Sequence, residues 1–75
     1  MSIRVLYFAI LREERGCAEE VVEIDEALTL ASLFKHIFNR PALGIRFAQN
    51  QIYVSGETVI SDDDEIAFLP PLGGG

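Results

Sequence analysis

An α+β fold, with one mixed β-sheet covered by one main helix, is predicted by three features of the sequence. The run "SIRVLYFA" at residues 2–9 is rich in β-branched and aromatic residues that alternate between two faces, as a half-buried strand requires. A single amphipathic stretch follows Thr29, where Leu30, Leu33, Phe34, Ile37 and Phe38 recur at helical spacing and form a stripe wide enough to cover a sheet. Further strand-like runs flank that helix on both sides. A chain of 75 residues makes one domain and buries little more than half of its unfolded surface, so the 49% hydrophobic content has to be used efficiently.

Taken in order, the first strand places Ile3, Val5 and Tyr7 on one face and Arg4, Leu6 and Phe8 on the other. "ILREERGCAEE" is polar and helix-forming up to Gly16, a residue able to end a short helical turn in the left-handed conformation. "EVVEI" at 20–24 reads as the second strand. Thr29 is the expected cap of the main helix, and Pro41 is expected to stop it. After an irregular stretch through Gly44, "QIYVSGETVI" reads as a hairpin turning at Ser55 and Gly56. "SDDDEIAFLP" is a tight acidic turn feeding a last short strand, which Pro70 ends because it has no N–H to donate. Strand, strand, helix, strand, strand, strand, with one helix against one sheet, is the β-grasp or ubiquitin-like arrangement. Residues 1–69 then form the domain, and residues 70–75 an extended tail ending in Gly-Gly-Gly.

Composition removes several function classes. Twelve acidic against six basic residues give a formal charge of −6, which disfavours nucleic acid or an anionic membrane and favours encounter with a basic protein surface. The longest apolar run, "VLYFAIL" at 5–11, is far short of the roughly 20 residues that span a bilayer, and the start has no signal-peptide pattern, so a cytoplasmic location is expected. The single Cys17 allows no internal disulfide, and no Cys/His cluster offers a metal site, so neither a metal nor a bound cofactor is expected. Cys17 precedes two glutamates, whose charge disfavours a thiolate, and reads as a bystander. His36 falls on the outward side of the main helix without a partner base or nucleophile. "SDDDE" at 61–65 lacks the spacing and glycine of a calcium loop, and the terminal glycines are not a phosphate loop because no lysine or helix follows them. The chain is not expected to catalyse a reaction alone.

What remains is a surface and a tail. If Ile3, Val5 and Tyr7 face the helix, Leu6 and Phe8 face away, and the same alternation in the last strand turns Ile66 and Phe68 inward and Leu69 outward. Leu6, Phe8 and Leu69 are therefore the candidate partner interface. Pro70 and Pro71 favour a stiff extended path, Leu72 adds an apolar anchor, and Gly73, Gly74 and Gly75 are free of side chains that would block a narrow channel. At about 3.3–3.6 Å per residue, residues 70–75 reach roughly 20 Å, far enough to enter another protein's active site. A carboxylate is a poor electrophile, but once activated as an acyl adenylate Gly75 offers an unhindered carbonyl to a sulfur or amine nucleophile. The competing reading of these glycines is a frayed end without a role.

These residues carry a family resemblance. "IRVLYFAILREERG", the Thr29 helix, "VSGE" and above all "DDDEIAFLPPLGGG" resemble the small, sulfur-carrying subunit of molybdopterin synthase over nearly the whole chain. The resemblance implies that a ubiquitin-activating-like adenylyltransferase uses ATP to adenylate Gly75, that a sulfur donor converts it to a thiocarboxylate, and that Pro70, Pro71, Leu72, Gly73 and Gly74 insert with it into the large subunit. There the sulfur passes to a pterin precursor, the large subunit supplies the catalytic groups, and the assembly is a heterotetramer. The chain departs from the family pattern in a short stretch at 59–62, in Asp63 where a turn glycine is common, and in a triple glycine like that of thiamin-pathway sulfur carriers. A carrier for thiamin or another pathway, a ubiquitin-like protein modifier and a plain interaction module are the alternative expectations.

Overall fold

The computed structural model of the chain describes residues 1–71. Strand β1 (Ser2–Tyr7) buries Ile3, Val5 and Tyr7, as its alternation predicts, and pairs antiparallel with β2 (Glu19–Glu23) in the register Ile3↔Val22 and Val5↔Glu20. Between them lies α1 (Ala9–Arg15), pinned to the core by Leu11 and ended by Gly16 at φ 83°, whose N–H donates to the Arg12 carbonyl at 2.9 Å. That left-handed stop is the one expected of Gly16.

The main helix, α2 (Leu30–Phe38), starts where Thr29 Oγ1 accepts a hydrogen bond from the Ser32 N–H at 3.1 Å. Leu30, Leu33 and Phe34 are fully buried, and Ile37 and Phe38 pack at the margin of the core. Its end differs from the expectation. Asn39, at φ 58°, takes the left-handed conformation and donates its N–H to the Lys35 carbonyl at 2.8 Å, so the helix is capped two residues before Pro41. Asparagine visits that region at lower cost than most residues, which leaves the proline nothing to break.

Strands β3 (Arg46–Gln49), β4 (Ile52–Val54) and β5 (Glu65–Leu69) complete a five-stranded sheet in the order β2-β1-β5-β3-β4. All neighbours are antiparallel except β1 and β5, which run parallel at the centre. This is the β-grasp arrangement, with α2 lying over one face. The inner row is continuous: Val5↔Ile66 and Tyr7↔Phe68 join β1 to β5, and Phe47↔Phe68 joins β5 to β3.

The hairpin expected at Ser55–Gly56 is displaced. The turn between β3 and β4 falls at Asn50 and Gln51, with φ of 52° and 71°, and pairs Phe47↔Val54, Ala48↔Tyr53 and Gln49↔Ile52. "RFAQ", which the sequence reading assigns to no element, is a strand because both its edges are paired, on β4 and on β5. Ser55–Gly56 forms a second turn, closed by the Thr58 N–H on the Ser55 carbonyl at 3.0 Å, which leads to a single bridge between Val59 and Thr29. Glycine is required there by space: a Cβ on Gly56 would stand 2.8 Å from Phe47 Cε2 and 3.2 Å from Ala31 Cβ.

The acidic run is a turn, as expected. Asp63, at φ 66°, occupies the left-handed position and donates its N–H to the Ser2 carbonyl at 2.8 Å, while Asp62 Oδ1 accepts the Ser2 N–H at 2.8 Å. Asp64 is buried and accepts from the Ser61 N–H (2.8 Å), Gln49 Nε2 (2.7 Å) and Asn50 Nδ2 (2.9 Å). Asn50 Oδ1 in turn accepts the Glu65 N–H at 2.9 Å, so one carboxylate ties the β3–β4 turn to the entry of β5. Burial pushes the Asp64 carboxyl up, but these donors outweigh it and hold it below its ordinary value.

A depressed carboxylate stabilises the fold above its unfolded pKa, and that contribution disappears as the pH falls through the folded value. Thermal unfolding is therefore expected to show a loss of Tm below about pH 4. In Asp64→Asn, which leaves donors facing an amide, stability at neutral pH falls by about 1–3 kcal/mol and the Tm changes less across the acid range. Calorimetry from neutral pH into the acid range measures both.

Candidate functional site

The sheet face turned away from α2 is where the outward-facing residues of four strands meet. Register brings Leu6 beside Ala67, Ala67 beside Ala48, and Ala48 beside Tyr53, a row of apolar side chains running across β1, β5, β3 and β4. Leu6, Phe8, Ala48, Gln51, Tyr53, Glu65, Ala67 and Leu69 line a shallow groove of about 220 Å³ on this face. Phe8 remains 43% exposed and Tyr53 67% exposed. Scattered surface apolar residues need no explanation, whereas a contiguous row in one groove is a candidate docking surface.

Local chain geometry explains how Phe8 arrives there. Tyr7 is drawn inward, and its buried hydroxyl donates to Glu20 Oε2 at 2.6 Å. Burial, and then this bond, raise the phenol far above its ordinary value, so it remains a donor. Arg15 also binds Glu20, and its guanidinium, with the Tyr7 hydroxyl, lowers the Glu20 carboxyl. The chain then turns sharply into α1 through Ala9 at φ 50°, with the Leu11 N–H on the Phe8 carbonyl at 3.1 Å. With Tyr7 and Leu11 both held in the core, Phe8 is left on the outside.

The two ends of the groove differ in charge. On the β1 side Arg4 pairs with Glu65 and lies 3.9 Å from Glu19. On the β4 side the Arg46 guanidinium carbon lies 5.3 Å from the centroid of the Tyr53 ring. Leu69 is directly opposite Arg46 in the β5–β3 register, and the chain leaves the sheet at this corner. Pro70 is half-buried and Pro71 exposed, the latter passing Gly44 so that a Cβ on that glycine would meet Pro71 Cγ at 3.7 Å.

Of the residues singled out from sequence, Leu6, Phe8 and Leu69 come together in one groove. Leu72, Gly73, Gly74 and Gly75 lie outside the described residues. Ala48, Gln51 and Tyr53 also line the groove, where the sequence reading has the hairpin one turn later, and Glu65 and Ala67 line it from β5, where alternation with the inward Ile66 and Phe68 is the signal that places them outward. Asn50, among the residues most tolerant of positive φ, was the available signal for the true turn. His36 is exposed on α2 and Cys17 is half-buried. Among the described residues, no helix is long and apolar enough to cross a membrane.

Residues 5–75 match the model of the ThiS family. The chain is 42% identical to the molybdopterin synthase sulfur carrier subunit of Chlamydomonas reinhardtii, with both chains fully covered. It is 37% identical to the protein of the same description from Escherichia coli strain K12, covering 97% of this chain and 99% of the relative. Among solved structures, it superposes on SAMP1 from Haloferax volcanii with a TM-score of 0.80 at 20% identity, both chains fully covered. It also superposes with a TM-score of 0.63 at 21% identity, again over both full chains, on a chain from a complex of subunits 1 and 2 of the molybdopterin-converting factor of Helicobacter pylori 26695. At these identities the structural matches establish the β-grasp fold.

Because the groove lies outside the core, Phe8→Ala and Tyr53→Ala are expected to change unfolding free energy by less than about 1 kcal/mol, whereas Phe68→Ala on the inner face of the sheet costs about 3–5 kcal/mol. Urea denaturation of the three variants tests the division between the two faces.

Proposed function

The chain belongs to the ThiS family, and on that premise we propose that it acts as the sulfur carrier subunit of a molybdopterin synthase, carrying sulfur as a thiocarboxylate on Gly75. The observation that carries this reading is the placement of Leu69, which lines the apolar groove and is also the last strand residue before Pro70 and Pro71. A partner that docks on the groove thereby receives the tail at a fixed point and in a fixed direction. Relatives of 42% and 37% identity described as molybdopterin synthase sulfur carrier subunits favour this pathway over thiamin biosynthesis.

The chemistry rests on the terminal carboxyl and on two partners in turn. A ubiquitin-activating-like adenylyltransferase binds the groove and takes the tail into its active site, where the Gly75 carboxylate attacks the α-phosphate of ATP and pyrophosphate leaves. The acyl adenylate is an electrophile that the carboxylate was not, and attack by a sulfur nucleophile expels AMP and leaves a thiocarboxylate. The large subunit then docks on the same groove. Sulfur is delivered to the pterin precursor in its active site, and hydrolysis of the acyl–sulfur bond by water returns Gly75 to a carboxylate. The chain itself binds no cofactor in this cycle, since ATP is consumed on the activating partner. The heterotetramer of two large and two small subunits, and a cytoplasmic site of action, belong to the same proposal.

The surface described here contributes positioning. Holding a reactive end near its target converts a bimolecular encounter into a local one, which is the kind of advantage a rigid platform with a short tail supplies. Gly73 and Gly74 leave the channel unobstructed, and Gly75 leaves the carbonyl unhindered.

Intact-mass analysis after incubation with ATP, a sulfide source and the activating enzyme is expected to show one oxygen replaced by sulfur at Gly75. Deletion of Gly75 abolishes the change without lowering Tm. A deletion variant that still gains sulfur, or a wild-type chain that never does, refutes the proposal.

A further inference from the structure

The groove is apolar along most of its length, but beside its tail-exit corner stands one cation, Arg46, that no carboxylate of the described residues pairs. Arg4, Arg15 and Arg40 are each paired internally, with Glu65, Glu20 and Glu14, while Arg12, Lys35 and Arg46 have no such pair among the described residues; of these three only Arg46 stands in register with a residue of the groove, Leu69. Among the described residues no carboxylate lies within ion-pairing distance of Arg46, although the chain carries twice as many acidic as basic residues. Nor is Arg46 free to wander. Its guanidinium rests 5.3 Å from the Tyr53 ring centroid, and its backbone is paired in register with Leu69, the strand residue next to Pro70. Glu65, the acidic residue of the groove, is already held by Arg4 at the opposite end.

Docking on this groove changes the situation of that guanidinium. Tyr53 and Leu69 both line the groove, so a protein seated on them also covers Arg46. A guanidinium taken out of water without an acceptor is strongly penalised, whereas a carboxylate that meets its planar fork satisfies two N–H groups at once. The net charge of −6 draws a generally basic surface toward the domain, yet this corner demands the opposite sign. From this we infer that the large subunit presents a carboxylate side chain at the mouth of the channel that receives the tail, and that Arg46, braced by Tyr53, is the residue of this chain that reads it. Arg46 is thus a specificity-determining residue: it rewards partners with an acid at the mouth and disfavours those with a cation or an apolar residue there.

The inference rests on the sulfur-carrier reading, and its test separates the two. The large subunit from the same organism is titrated calorimetrically with wild-type chain, Arg46→Glu and Lys35→Glu. Lys35 is exposed on α2, on the far side of the sheet from the groove, so the last variant makes the same change in net charge away from the docking face. Arg46→Glu is expected to weaken binding by about 30-fold or more, and Lys35→Glu by less than about threefold. Both variants are expected to keep the Tm of the wild type, since both side chains are exposed. Equal losses in the two variants mean that only overall charge matters, and no loss in Arg46→Glu means that nothing reads the corner; either result overturns the inference while leaving the carrier function standing. A wild-type chain that does not bind the large subunit removes the carrier reading, and the inference with it.

Discussion

The structure depends on the burial of one ring. Phe68 has no exposure, and four aromatic rings surround it at centroid distances of 6.1 Å (Tyr7), 5.2 Å (Phe34), 6.4 Å (Phe38) and 5.8 Å (Phe47). Those rings come from β1, α2 and β3, so a single side chain of β5 joins the three elements that define the fold. Most contacts are edge-on or tilted, the arrangements in which each aromatic pair adds about 0.5–1.5 kcal/mol beyond burial of area. A core this small has few such centres, and this one lies two residues from Pro70.

That proximity links packing to use. Alternation along β5 sends Phe68 to the core and Leu69 to the groove, so a residue of the candidate docking groove is the direct neighbour of a fully buried ring. β5 is also the central strand, paired on both edges by β1 and β3. Pro70 and Pro71 therefore follow a strand held on both edges, which is the geometry the proposed presentation of the tail calls for.

The two faces of the sheet serve different ends. The inner face is saturated with aromatic and aliphatic contacts, while the outer face leaves Phe8 and Tyr53 exposed and Leu6 and Ala48 half-buried around Ala67 in the groove. The Asp62 carboxylate accepts from the Ser2 N–H, that of Asp64 from Ser61, Gln49 and Asn50, and that of Glu20 from Tyr7 and Arg15. Arg46, like Arg12 and Lys35, has no carboxylate partner among the described residues, and it alone of the three is paired in register with a groove residue.

Much of this was legible beforehand, where a local signal was strong and nothing competed with it. The period-two run of β1, the capped stripe from Leu30 to Phe38, the left-handed stop at Gly16, and the division of Leu6, Phe8 and Leu69 from Ile66 and Phe68 all follow from side-chain chemistry and backbone period. The α+β class follows from them, and the proline and glycine composition of residues 70–75 pointed to a presented tail. Tertiary structure alone decided the rest. "RFAQ" has a weak strand signal and became β3 by pairing on both edges. The buried Asp64 placed the hairpin turn at Asn50 and Gln51 by anchoring a side chain from a distant segment, and Asn39 pre-empted Pro41 as the end of α2. The groove needed the register of four strands before Ala48, Ala67 and Tyr53 stood beside Leu6. Alternation along a strand is a property of neighbouring residues, but which strands lie side by side is set by contacts between segments far apart in the chain, and no local pattern encodes those.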